Sequence, residues 1–289
     1  MPRPPGDFNG YAVGKVLGHG GNATVYLATR AADNRSVALK VLTPGHHDST
    51  RLRRIAREFD FAHRLRHPHI IEVYDRGADW LAMEYLDGGN VGTVHHLDLR
   101  LRALAQIADA LDFAHRQGVI HCDVKPANIL VSKEYSSSGA VLIDFGVAHS
   151  LAEDMRQRLS RDATQRLSLD PARRITHQQP EHTATVQASL PYAAPELLTG
   201  RSPSAATDEY ALACTALELI TGTVPFEAST AVALIDAQLH QPPPRRARTV
   251  SWIPHAFDSI LAKALSKDPD ARYESCAEMI ALVTRSLRR

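Results

Sequence analysis

The chain has little that could staple or anchor it. Its three cysteines, Cys122, Cys214 and Cys276, stand far apart, and none has C-x-x-C or Cys/His ligand spacing. A disulfide framework and a zinc cluster are therefore excluded as organising principles, and a reducing compartment, the cytoplasm, suits this usage. No apolar run reaches bilayer length, and Met1–Phe8 lacks the apolar stretch of a signal peptide, so no membrane segment is expected. An excess of one charge sign is also missing. Against 33 Lys and Arg stand 32 Asp and Glu, a net charge of +1 that gives no global attraction to nucleic acid or an anionic membrane. The basic runs Arg51–Arg57 and Pro242–Arg248 are short enough to be solvated faces. Lysine is scarce beside arginine, so a lysine on a motif position weighs more. The 15 histidines are scattered, and the pairs His46-His47 and His95-His96 are poor ligand sets because neighbours on a regular element point different ways.

What is present suits a soluble globular chain: 44% hydrophobic and 22% charged residues over 289 positions, enough to bury a real core. Tyr11–Leu17, Ala23–Thr29 and Ser36–Leu42 are short, rich in Val, Leu and Tyr, and separated by turn signals, which predicts an antiparallel meander. Arg51–Arg66 has a helical period that His67-Pro68 stops. Strand-like runs follow at Ile70–Tyr74 and Leu81–Tyr85. Leu97–Gln117 then carries a long apolar stripe closed by Gly118, and Asp208–Thr221, Ala228–Leu239, His255–Leu265 and Ser275–Leu287 also read as helices. A β-rich lobe before a larger helical one is a two-lobed α+β design. The polar stretch Ser150–Gln187 reads as a long mobile loop, with a short amphipathic helix expected over Met155, Leu159, Ala163 and Leu167.

Four segments carry chemistry. Gly18, Gly20 and Gly21 lie between two predicted strands, where missing Cβ atoms let backbone N–H groups turn toward a phosphate chain. Alone this is no more than a hairpin turn. Lys40 ends the apolar run Val37-Ala38-Leu39, and a half-buried ammonium there needs a counter-charge; helical register favours Glu58 over Asp60. His121–Leu130 (HCDVKPANIL) is the strongest signal. Asp123 can take the proton of an attacking hydroxyl, Lys125 can offset charge on a transferred phosphoryl group, and Asn128 offers a carbonyl oxygen to Mg²⁺. Pro126 makes a helix unfavourable there. Asp144-Phe145-Gly146 follows the predicted strand Val141–Ile143 and places a carboxylate for a hard cation beside a turn-permitting glycine.

These motifs, with Met83-Glu84-Tyr85, Ala194-Pro195-Glu196, Asp208 and Asp268–Tyr273, resemble the eukaryotic-type protein kinase family, and in particular its bacterial (actinobacterial-like) Ser/Thr branch. The resemblance implies one kinase domain over residues 1–289. Within it, residues 11–86 would form the N-lobe, residues 87–287 the C-lobe and residues 144–196 the activation segment. It implies ATP between the lobes with Mg²⁺ or Mn²⁺. The adenine would rest on Glu84 and Leu86 of the hinge behind a gatekeeper Met83, between Val25, Ala38 and Leu130, with Leu17 leading into the glycine loop. It also implies that Glu196 pairs with Arg272, that Asp208 anchors the catalytic loop, and that Lys125 marks Ser/Thr specificity. The implied activity is transfer of the γ-phosphoryl of Mg-ATP to Ser/Thr hydroxyls of protein substrates by a monomer or weak homodimer; the alternative is a pseudokinase scaffold.

Three positions depart from the family pattern. Ala23 stands at the third loop glycine. Cys122 replaces the arginine that usually precedes the catalytic Asp, and a thiol cannot make charge-assisted bonds to phosphate, so a reduced dependence on loop phosphorylation is expected. An inert cysteine and a redox-active one are the two readings of its thiol. The segment from Asp144 to Glu196 is long and holds candidate autophosphorylation sites, Thr183 and Thr185 foremost, while Ser189 stands where the family has Thr.

Overall fold

The computed structural model describes residue 8 and residues 10–19, 23–43, 49–134, 139–145 and 189–288. The expected amphipathic helix around Met155–Leu167 and the expected loop over residues 150–187 lie outside the described residues.

Strands β1 (Tyr11–His19), β2 (Ala23–Arg30) and β3 (Arg35–Leu42) form the predicted meander, and β4 (Val73–Arg76) and β5 (Trp80–Glu84) extend it in the order β1-β2-β3-β5-β4. The near-continuous apolar run of β3 is why it lies inside the sheet. Val37, Ala38, Leu39, Val41 and Leu42 are buried, while the edge strand β1 leaves Val16 exposed. In this register Lys40 sits between Val25 of β2 and Leu81 of β5. Helix α1 (Ser49–Arg64) packs against β4 and β5 and supplies Glu58. The strand expected at Ile70–Tyr74 begins later, at Val73. Ile70 instead makes an isolated bridge to Leu142, and the amide of Ile71 donates to Leu142 O at 3.0 Å, so this stretch joins the sheet region to the helical half.

The helical half is built on α2 (Leu97–Arg116) and α4 (Ala205–Thr221), with α3 (Pro195–Leu198), α5 (Ala231–His240), α6 (His255–Ala264) and α7 (Cys276–Leu287) around them. The stripe Leu101, Leu104, Ile107 and Leu111 of α2 is buried, each side chain contributing about 1.5–3 kcal/mol on the usual burial scale. Helix α4 is buried nearly all round, Thr207 to Leu217 without a break, which marks it as the central helix of the core. It opens with a Ser204/Thr207 capping box and closes at Gly222 with φ +81°. A two-stranded ribbon, β6 (Ile129–Val131) with β7 (Ala140–Leu142), lies under the cleft. It separates the two catalytic segments, leaving residues 121–128 before it and residues 143–145 after it. Pro126–Asn128 forms a single 3-10 turn, as the proline allows. Among the described residues no helix is long and apolar enough to cross a membrane.

Candidate active site

Charge from three distant parts of the chain meets at Lys40. Its Nζ donates to Glu58 Oε1 at 2.9 Å and Oε2 at 3.1 Å, and also to Asp144 Oδ1. Asp60 is turned away, 4.0 Å from Arg76, as the helical register requires. Burial opposes charge on all three groups, but their mutual attraction dominates for two of them. The carboxylates hold the Lys40 ammonium well above its ordinary pKa, and Lys40 holds Asp144 down at about 2. Burial, reinforced by Asp144, pushes Glu58 up.

Below this cluster residues 121–128 fold around Asp123. Lys125 Nζ donates to both carboxylate oxygens of Asp123, at 3.0 and 2.8 Å. The Asn128 side-chain amide donates to the Asp123 carbonyl at 2.8 Å and to its Oδ2 at 3.0 Å. That orientation leaves the Asn128 carbonyl oxygen as its outward acceptor. The loop is held from beneath by Asp208, which is fully buried and accepts the backbone N–H of His121 at 2.7 Å and of Cys122 at 2.6 Å. These two bonds fix Cys122 at φ +64°, a left-handed conformation that costs a non-glycine residue about 1–2 kcal/mol. Asp144 is likewise left-handed, at φ +66°. His121 links the two strained segments, with Nε2 2.8 Å from Ile143 O and its ring edge-on to Phe145 at 4.8 Å.

A platform follows at residues 189–196. Lys125 Nζ donates to Ser189 Oγ at 2.7 Å, and the Tyr192 hydroxyl donates to Glu218 Oε2 at 2.6 Å. Glu196 forms a two-pronged pair with Arg272, Nη1 to Oε1 at 2.7 Å and Nη2 to Oε2 at 2.8 Å. Burial works against the Glu196 charge, yet Arg272 lowers its pKa below the ordinary value. Cys122 is buried among Leu190, Ala193, Leu197 and Leu198. Burial, then Asp208, Asp123 and Glu196, push its thiol far up, so it packs as a small apolar side chain and the redox reading loses its thiolate.

On the sheet side Ala38 and Met83 are buried in one cluster against which Val25 and Leu86 pack, and Glu84 and Leu130 are half-buried; Leu17 is exposed at the end of β1 beside Gly18. Gly20, Gly21, Gly146, Thr183 and Thr185 lie outside the described residues.

Sequence reading did not find two contributors. His115 Nε2 lies 2.8 Å from Asp208 Oδ2, placing a ring beneath the loop anchor. Asp112, near His115 and Cys276, accepts the N–H groups of Cys276 and Ala277 at 2.9 and 3.0 Å and so caps the first turn of α7. The second is Gln238, fully buried at the end of α5. A histidine and a glutamine on amphipathic helices carry no signal that separates them from solvated polar residues.

Comparison with known proteins agrees with this geometry. The family model described as "Protein kinase domain" matches residues 11–282. The serine/threonine-protein kinase PknJ of Mycobacterium tuberculosis is 38% identical over 94% of this chain and 44% of its own length. PknB of Mycolicibacterium smegmatis is 34% identical over 95% of the chain and 42% of its own length. The chain thus spans less than half the length of these curated relatives. The crystal structure of the M. tuberculosis PknI kinase domain matches over 100% of both chains, with a TM-score of 0.71 at 29% identity. With a family model covering nearly all of it and relatives above 30% identity along its length, the chain belongs to the protein kinase domain family, among bacterial Ser/Thr kinases.

Proposed function

We propose that this chain transfers the γ-phosphoryl group of ATP to Ser and Thr hydroxyls of proteins, with the whole of residues 1–289 acting as one catalytic domain, divided into lobes at residue 86. The observation that carries the reading is the Asp123 carboxylate, gripped by Lys125 and Asn128 while Lys125 also reaches Ser189. One group is thereby placed to accept a proton, beside a cation and a platform for the acceptor peptide.

The donor set fits a divalent cation and a nucleotide. The Asn128 carbonyl and the Asp144 carboxylate are hard oxygen ligands of the kind Mg²⁺ and Mn²⁺ take, and Mg²⁺ is the proposed ion. Leu17, Val25, Ala38, Met83, Leu86 and Leu130 offer apolar side chains for a flat base, and Glu84 and Leu86 their backbone. Gly18, with Gly20 and Gly21, would approach the phosphates. When bound, the metal–nucleotide pair supplies the phosphoryl group and offsets its charge. The remaining work falls to side chains of the chain itself. Lys40, held by Glu58, positions the phosphates; Asp123 orients the substrate hydroxyl and accepts its proton; Lys125 offsets developing charge. Phe145 packs edge-on to His121 beside Asp144; Gly146 would permit the turn there. Glu196, Arg272 and Asp208 hold the platform and the loop.

A pseudokinase scaffold has no observation in its favour, since Lys40, Asp123, Asn128 and Asp144 are all present and mutually placed. Cytoplasmic action on protein substrates, as a monomer or weak homodimer, completes the proposal. The test is incubation with γ-labelled ATP and Mg²⁺ or Mn²⁺, alone and with a generic protein substrate. Label should transfer in the wild type and not in Asp123→Asn. Absence of label from both would reject the reading.

A further inference from the structure

Leu190 and Pro191 lie between the residue that touches Lys125 and the residue that touches Glu218, and their carbonyls are held by one side chain. Gln238 Nε2 donates to Leu190 O at 3.1 Å and to Pro191 O at 2.7 Å. Its Oε1 accepts the Tyr210 hydroxyl at 2.5 Å. The side chain is fully buried, so each of these bonds replaces water that cannot reach the site. A glutamine is the residue type that can serve here, because it presents two donors and an acceptor on one planar group. The Gln238 backbone is fixed as well: Lys267 Nζ donates to Gln238 O at 2.6 Å while lying over the Phe226 ring at 4.2 Å. Tyr210 in turn carries the Arg272 guanidinium over its ring at 4.9 Å. A chain of contacts therefore runs from the Glu196–Arg272 pair through Tyr210 and Gln238 to the two carbonyls next to Ser189.

We propose that Gln238 is a positioning residue for phosphoryl transfer, setting the height and direction of the segment Ser189–Tyr192 on which the acceptor peptide lies. The inference rests on the kinase reading above. It deepens that reading by giving α5 a part in peptide recognition rather than in nucleotide binding. Gln238 has no bond to the Lys40 cluster or to Asp123; its direct contacts with the platform are the Leu190 and Pro191 carbonyls next to Ser189. Losing the two carbonyl bonds should loosen acceptor binding and leave the nucleotide side as it was.

The test uses Gln238→Met, which keeps side-chain length and removes the donors, and Gln238→Glu, which keeps an acceptor for Tyr210 but sets an acceptor against the two carbonyls. Steady-state transfer to a Ser/Thr peptide should lose about tenfold in kcat/KM through a higher peptide KM, while KM for ATP stays within about twofold. Hydrogen–deuterium exchange of the peptide spanning residues 189–198 should become faster in both variants, with exchange in α2 unchanged. Exchange is read without turnover, so an inactive wild type rejects the kinase reading while the segment's anchoring is still measured. Wild-type peptide KM together with unchanged exchange at residues 189–198 would overturn the proposal. Equal losses toward peptide and ATP, or failure of both variants to fold, would also overturn it by assigning Gln238 a general structural role.

Discussion

Two ion pairs join remote parts of this chain, Arg272 with Glu196 and Lys40 with Glu58, and they are built on opposite plans. At Arg272 the charges match one to one and the surrounding bonds are complete. Beyond its two bonds to Glu196, the guanidinium donates from Nε to Ser266 O at 3.0 Å and from Nη1 to Ala206 O at 2.7 Å, and the Thr207 hydroxyl donates to Glu196 Oε1 at 2.9 Å. The side chains are 0% and 3% exposed. At Lys40 one ammonium faces two carboxylates, Glu58 and Asp144, and remains 19% exposed toward the cleft. The first site is closed and neutral. The second is open, and its two carboxyl groups share one ammonium, with Glu58 pushed up by burial and Asp144 held down by Lys40. Ion pairing thus closes one place and leaves the other open to a cation-bearing ligand of the kind proposed above.

Breaking the closed pair should cost the most. Arg272→Met leaves the Glu196 carboxylate buried without a counter-charge, and a loss of about 3–5 kcal/mol is expected in urea unfolding. A loss below about 1 kcal/mol would remove the contrast. At the open pair the balance reverses. Lys40→Met should cost less stability than Arg272→Met, because Glu58, whose carboxyl burial already pushes up, can take a proton when the ammonium is lost. It should nonetheless lower kcat by roughly 10²–10³-fold, the usual effect of deleting a preorganised charge from a reaction site. Thermal unfolding and phosphoryl transfer, measured on the same preparations, separate the two outcomes.

The closed region has one imperfection, and it sharpens the comparison. Glu209 follows Asp208 on α4, and its Oε1 accepts the Tyr273 N–H at 3.0 Å, but its buried Oε2 has no partner among the described residues. Burial pushes its carboxyl up to about 8, with Tyr273, Arg272 and Lys263 pulling the other way and Glu278 adding to the rise. A free glutamate titrates near about 4.3. Between roughly pH 5 and pH 8 the folded chain therefore holds a proton that the unfolded chain has released, so this group makes stability fall as pH rises through that window. Glu209→Gln should flatten that fall and raise stability at pH 8 by about 1–3 kcal/mol, with little change at pH 5. Denaturant midpoints across the range provide the measurement, and an unchanged slope would refute the assignment.

The same contrast explains what could be read in advance. Lys40 stood out because an ammonium on an apolar strand demands an explanation, and α-helical register singled out Glu58. Asp123, Lys125 and Asn128 stood out because their spacing is short and local. The periodicities of α2 and β3 likewise reported faces that are buried by neighbouring elements. Gln238 and His115 gave no such signal. Their neighbours in space, Leu190 and Asp208, lie 48 and 93 positions away, and only packing turns a polar residue on a helix inward. The strand order was equally hidden, because β3 and β5 pair in the sheet although α1 and β4 lie between them in the sequence. The start of β4 at Val73 rather than Ile70 has the same origin: Ile70 is drawn into a bridge with Leu142 from the other half of the molecule.

The smallest effect concerns Cys122, one of the positions where this chain departs from the family pattern. An arginine before the catalytic aspartate would place a cation under the platform, where a phosphorylated threonine could pair with it. Cys122 instead packs against Leu190, Ala193, Leu197 and Leu198, and the charges that push its thiol up after burial, Asp208, Asp123 and Glu196, are all negative. A phosphate brought to Cys122 would meet repulsion and gain no ionic bond. Among the described residues the platform is held by Gln238, Lys125 and the Tyr192–Glu218 bond. The double variant Thr183→Ala, Thr185→Ala should therefore retain transfer to a peptide substrate within about tenfold of wild type, a difference of about 1.4 kcal/mol or less. Near-complete loss of turnover, restored by acidic substitutions at the two threonines, would mean that a cation elsewhere takes the role the missing arginine has in the family.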